Sequence, residues 1–177
     1  PLAIAIAASR LAYEPCWTPA EFLAHLREDR LRLDTLTFND QSVRLSLERS
    51  YQALPSDRQI FFAKLAAFGG LEFSAQAAAY VASDQIEQVE EKLRHLYCLS
   101  FILSDKQTRY YLHPLIQDYA LGKLDGKEAH ERMIDYYIQV LEEKQADYEA
   151  IDLVEKNLHF ALKSAHTRGM PAIFSRG

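Results

Sequence analysis

Leu99-Ser100-Phe101-Ile102-Leu103-Ser104-Asp105-Lys106-Gln107-Thr108-Arg109-Tyr110-Tyr111-Leu112-His113-Pro114 is the stretch that decides how the chain folds. Leu99 to Leu103 and Thr108 to Leu112 are short, aromatic and β-branched, and Asp105-Lys106-Gln107 between them has turn chemistry, so the stretch predicts a β-hairpin with strands over about 99–103 and 108–112. Alternation along the second strand sends Tyr110 and Tyr111 to opposite faces, so one tyrosine packs inward and the pair makes a poor base-stacking platform.

Upstream, apolar residues recur at helical spacing. Val43, Leu47, Tyr51 and Leu54 mark a helix that stops at Pro55, and Ile60, Phe61, Leu65 and Phe68 mark another that stops at Gly69-Gly70. An alanine-rich helix follows over about 74–82, and Ser83 or Asp84 is expected to cap a further one whose Ile86, Val89, Leu93 and Leu96 share a face. Helices followed by a hairpin are the element order of a winged-helix domain, with the hairpin as the wing. Beyond Pro114, Leu115, Ile116, Tyr119 and Leu124 give one more helix, and Gly126 separates it from two amphipathic helices that suggest the start of a helical repeat array. At the other end, Leu2 to Leu11 reads as a buried helix too short to span a bilayer, and Thr18, Pro19 and Glu21 form a capping box for the next. The expected class is mainly α. A helical part over 1–40, a winged-helix domain over 41–124 and the start of a repeat-like helical pair over 125–177 make up the expected organisation.

Bulk properties narrow the function. The 177 residues are 49% apolar and 25% charged with a formal net charge of −5, which gives no long-range attraction to nucleic acid or anionic lipid. In the expected third helix, Asp84, Glu87, Glu90 and Glu91 face only Lys92 and Arg94, an unfavourable balance for a helix entering a major groove. Cys16 and Cys98 lie far apart without CxxC spacing, which favours a reduced, cytoplasmic setting over a disulfide framework. GxxxxGK[ST], GxGxxG, GxSxG and HExxH are all absent, so the chain is not expected to be an enzyme by itself. The histidines His25, His95, His113, His130, His159 and His166 have no ligand-type spacing, so no metal site is expected. Most of them read as helix-surface residues, Trp17 as a packing residue and Glu142-Glu143-Lys144 as a solvated face. His113 differs, because it sits where a strand hands over to a helix starting at Pro114. Two roles are open to it: a latch holding wing to helix, or a phosphate contact beside a helix N-terminus.

Arg109-Tyr110-Tyr111-Leu112-His113-Pro114-Leu115-Ile116-Gln117-Asp118-Tyr119-Ala120 resembles the end of the winged-helix domain in NB-ARC signalling ATPases, among them plant resistance proteins and the apoptosome scaffold. His113 falls on the histidine of their MHD motif. Ser50-Tyr51-Gln52-Ala53-Leu54-Pro55, Phe62 to Phe68 and Leu99-Ser100-Phe101-Ile102 resemble further family stretches in the same order, and Pro1-Leu2-Ala3 resembles the tail of the GLPLA motif. Val154 to Leu162 is similar to the entry of bacterial members into tetratricopeptide-like repeats.

The resemblance implies that the chain is a piece of a longer protein cycling between ADP-closed and ATP-open forms, with Pro1 against adenine and His113 reaching the ADP phosphates. It implies no cofactor in the chain alone, and ADP or ATP with Mg in the full-length protein. Its partners would be an upstream nucleotide-binding domain and downstream repeats of the same chain, with homo-oligomerisation on activation and neither nucleic acid nor membrane. Pro114 stands where the MHD motif has aspartate, so a polar latch through that carboxylate is missing. Two other functions compete with this lid: a winged-helix DNA-binding transcription regulator, which would need a basic face, and a helical protein–protein interaction module indifferent to nucleotide.

Overall fold

The computed structural model describes residues 40–105, 108–143 and 148–167, together with Thr18 and Ala20. Pro1, the expected helix over 2–11, Trp17 and most of the expected capping box lie outside the described residues.

The first helix, α1 (Asp40–Gln52), ends where Leu54 turns into Pro55, and α2 (Ser56–Leu65) starts directly after that proline. α2 tightens into a 3-10 turn over Ala66–Phe68, and Gly69 stops it with φ of 63°. Gly70 follows at φ 79°, so the chain reverses through two left-handed residues. Phe73 then makes a single antiparallel bridge with Tyr110, using both backbone hydrogen bonds at 2.8 and 2.9 Å. Ser74 caps α3 (Ala75–Ala82) by accepting from the Ala77 amide. Ser83, left-handed at φ 59°, ends α3, and α4 (Ile86–Cys98) begins after Gln85, which gives no side-chain cap. The cap expected from Ser83 or Asp84 is therefore absent, because Ser83 is used to close the preceding helix.

The hairpin comprises β1 (Leu103–Asp105) and β2 (Arg109–Tyr111), paired in the register Leu103 to Tyr111, Ser104 to Tyr110 and Asp105 to Arg109. Its first strand starts later than the expected 99–103. Ser100 takes φ of 60° and the Phe101 amide reaches back to the Leu96 carbonyl, so residues 99–102 finish α4 and swing the chain round. With the Phe73 bridge on the far side of β2, the order is that of a winged helix whose wing sheet borrows one residue from the segment before α3.

Three helices follow: α5 (Pro114–Lys123), α6 (Glu128–Glu143) and α7 (Tyr148–Thr167), with Gly126 at φ 73° in the turn before α6. The molecule is mainly helical with one two-stranded antiparallel sheet among the described residues. Its core is aromatic. Phe68 stacks on Phe73 at 4.3 Å, Phe62 meets Phe101 edge-on at 5.0 Å, and Tyr137 from α6 meets Phe68 edge-on at 6.4 Å. Each such buried ring contributes about 1.5–3 kcal/mol through area removed from water. The same cluster takes in Met133 and Ile134 of α6 and Leu158 and Ala161 of α7, so the last two helices share the core of the winged helix. Among the described residues, no helix is long and apolar enough to cross a membrane and no His, Cys, Asp and Glu group could hold a metal ion.

Candidate functional site

His113 is the residue before α5 and is built as its N-cap. Its backbone is extended at φ −61° and ψ 143°, as the following proline demands, and Pro114 takes the first helical position where its missing N–H costs nothing. The His113 carbonyl accepts from the Ile116 and Gln117 amides at 2.8 and 2.9 Å, and its Nδ1 accepts from the Leu115 amide at 3.3 Å. Accepting at Nδ1 puts the proton of the neutral ring on Nε2, which leaves one N–H donor on the edge away from the helix. The residue is half-buried, Leu112 before it is buried, and Tyr110 three residues earlier is bridged to Phe73. These hydrogen bonds all go to the first turn of α5, so His113 acts as a helix cap. From it, α5 exposes Pro114, Leu115, Asp118 and Leu121.

The wing tyrosines are both half-buried, with Tyr110 lying 6.2 Å from Phe73. Burial pushes its phenol up, with Glu90 adding to the effect and Arg94 opposing it. The outer face of α4 carries Glu87, Gln88, Glu90, Glu91, Arg94, Tyr97 and Cys98. Lys92 does not share that face: its ammonium turns inward to Asp84 at 2.8 Å and lies over the Phe61 ring at 5.6 Å. Arg58 from α2 pairs with Glu91 at 2.7 Å and with the His95 ring. The outer face keeps the acidic balance expected of this helix, with Glu87, Glu90 and Glu91 against Arg94, and with Arg58 of α2 paired to Glu91. His95 is half-buried and His130 buried, departing from the helix-surface reading of most histidines; each sits one helical turn from core positions.

An open cleft of about 660 Å³ separates α3 and the Ser83–Gln85 turn from α6, lined by Tyr80, Asp84, Arg132, Asp135 and Tyr136 among others. Two of its polar groups partner each other: Tyr80 donates to Asp135, and Gln139 donates to both.

Sequence reasoning missed a second set of residues, around the Glu72 carbonyl. That oxygen accepts from Asn157 of α7 at 2.9 Å and from the Arg109 guanidinium at 3.3 Å. A signal existed: Val154, Asn157, Leu158 and Ala161 lie on one helical face, so Asn157 is the polar member of an otherwise apolar stripe. Pro1 cannot be placed beside His113, since it falls outside the described residues.

Over 149 residues the chain is 34% identical to the regulatory protein AfsR of Streptomyces coelicolor, and over 146 residues 33% identical to the AfsR of Streptomyces griseus. It is a homologue of bacterial regulatory proteins. Each match takes in 78% of this chain but 15% of the relative, so the chain spans less than a sixth of the length of these proteins. A Mycobacterium tuberculosis protein whose name describes an HTH-type transcriptional regulator is 37% identical over 105 residues, 55% of this chain and 12% of that protein. No protein-family model and no solved structure matches the chain.

Proposed function

We propose that this chain is a control module inside a larger bacterial transcription regulator, in which the winged helix works as a nucleotide-responsive lid and another part of the protein reads DNA. The relatives' names bring transcription to the fore over general signalling, and their length leaves ample room outside the matched segment for a DNA reader. The observation that carries the lid role over the reader role is the outer face of α4, where Glu87 and Glu90 stand with Arg94, Glu91 is paired with Arg58 and Lys92 is withdrawn. A reader helix gains most of its binding from cations against phosphates, and this one presents carboxylates there.

His113 suits the sensing role. Its Nε2–H is a fixed, half-buried donor at a strand-to-helix junction, so it fits one phosphate oxygen of ADP. The chain lacks a phosphate-binding loop, so ADP or ATP with Mg would be held mainly by a nucleotide-binding domain elsewhere in the protein. Bound nucleotide would supply the charge difference between two states, and this chain's contribution would be a histidine that reaches phosphate only when the lid is closed. The test is His113→Ala in the full-length protein, with bound ADP quantified after purification. Loss of most of the ADP is expected; unchanged occupancy removes His113 from nucleotide sensing.

One observation favours a second reading, in which the winged helix itself binds DNA: the mycobacterial relative carries an HTH-type name. Gel retardation of promoter-length duplex by the chain at low salt separates the two. A lid gives no shift, and a salt-dependent shift would make the winged helix the reader.

A further inference from the structure

The segment over 66–73 touches both the repeat-like helix α7 and the strand and helix that carry His113. From α7, the Phe160 ring lies over Gly69 so closely that a Cβ there would fall 2.3 Å from its Cζ, and Asn157 Nδ2 donates to the Glu72 carbonyl at 2.9 Å. On the other side, Arg109 donates to the same carbonyl, Phe73 exchanges two backbone hydrogen bonds with Tyr110, and Gln117 Nε2 donates to the Ala66 carbonyl at 2.7 Å. Arg109 and Tyr110 belong to β2, which runs through Leu112 into His113, and Gln117 lies one turn into the helix that His113 caps. Asn157 and Phe73 are buried, whereas Gly69 and Glu72 between them are exposed.

We propose that Asn157 and Arg109, meeting on the Glu72 carbonyl, are positioning residues that make residues 66–73 a relay between α7 and His113. A carbonyl with two lone pairs accepts both donors at once. If α7 shifts, the carbonyl keeps only Arg109 and the 66–73 segment loses the contact that fixes its outer side, so the Phe73–Tyr110 bridge and the His113 cap loosen together. The regulatory use of this relay rests on the nucleotide-lid reading above; the mechanical coupling does not.

Amide hydrogen exchange in the full-length protein tests it, with Asn157→Leu to remove the donor at similar volume and Phe160→Leu as a milder second variant. Peptides over 108–117, which contain the second wing strand and the Leu115 amide held by His113, should exchange about fivefold faster, the weight of one lost hydrogen bond, while those over 86–93 stay unchanged. Arg109→Met should give the same pattern. If only peptides of α7 loosen, or if exchange rises evenly everywhere, the relay is overturned and Asn157 is merely a packing residue. ADP release, measured on the same variants and on His113→Ala, separates the two ideas. The exchange pattern with unchanged ADP release keeps the relay and defeats the lid, and normal exchange with fast release from His113→Ala does the reverse.

Discussion

Replacing Gly69 by alanine should be far more damaging than the same change at Gly70. Both glycines are left-handed, at φ 63° and 79°, so an added Cβ costs about 1–2 kcal/mol of backbone strain at either. Their surroundings differ. At Gly70 the nearest atom to a new Cβ is the Gln117 Cγ at 3.7 Å, an ordinary contact, whereas at Gly69 three atoms of the Phe160 ring lie at 2.3, 2.7 and 2.9 Å. The ring must move, and overpacking of that kind adds about 1–3 kcal/mol. Gly69→Ala should thus cost about 2–5 kcal/mol in all, and Gly70→Ala about 1–2. Urea unfolding of the chain, followed by circular dichroism, reads both. A double-mutant cycle isolates the contact, since Phe160→Ala removes the obstacle and the Gly69→Ala penalty should then fall by at least about 1 kcal/mol. If the two changes add within about 0.5 kcal/mol, α7 does not sit on the Gly69 turn and the relay through residues 66–73 loses its outer anchor.

Burial, then the Arg58 guanidinium, holds His95 below its usual 6.5, against weaker opposing pulls from Glu91 and Asp57. The unfolded chain therefore takes up this proton first as pH falls, so His95's contribution to stability is full above the usual value and declines from there toward its lowered folded value. Urea midpoints should be lower at about pH 5.5 than at about pH 7.5, and His95→Gln should flatten the difference; an unchanged slope would acquit His95. Glu48 titrates in a separate, more acidic window. Burial alone would raise its carboxyl, but hydrogen bonds from Tyr119 and Lys123 and the Lys123 charge pull it below 4.5, so its stabilisation is present above 4.5 and lost as pH falls through the lowered value. Tyr119→Phe removes the 2.7 Å bond to Glu48 and should cost about 0.5–1.5 kcal/mol at neutral pH, with no loss in the thermal midpoint counting against that bond. Among the described residues the buried Tyr137 hydroxyl has no hydrogen-bond partner, and burial pushes the phenol well above its usual range. Tyr137→Phe should be neutral or stabilising by up to about 1 kcal/mol; destabilisation beyond that would reveal a partner for the hydroxyl.

Sequence by itself determined the ends of elements wherever backbone chemistry is written in the residue type. Pro55, Ser74, Pro114, Gly69 and Gly126 act within a turn of where they stand, so the succession of helices and the hairpin could be read from them and from the spacing of apolar residues. The placement of His113 at a helix start was legible for the same reason. Where the residue type does not announce its geometry, the reading slipped: Ser83 and Ser100 both take left-handed backbone that glycine would have signalled, which moved the α4 cap and delayed β1. Tertiary structure alone decided the rest. Lys92 leaves the outer face of α4 because Asp84 and the Phe61 ring meet it from inside, and no spacing along one helix contains that contact. Phe160 finds Gly69 and Asn157 finds the Glu72 carbonyl across more than eighty residues of chain, so the element joining α7 to His113 exists only once the helices have packed.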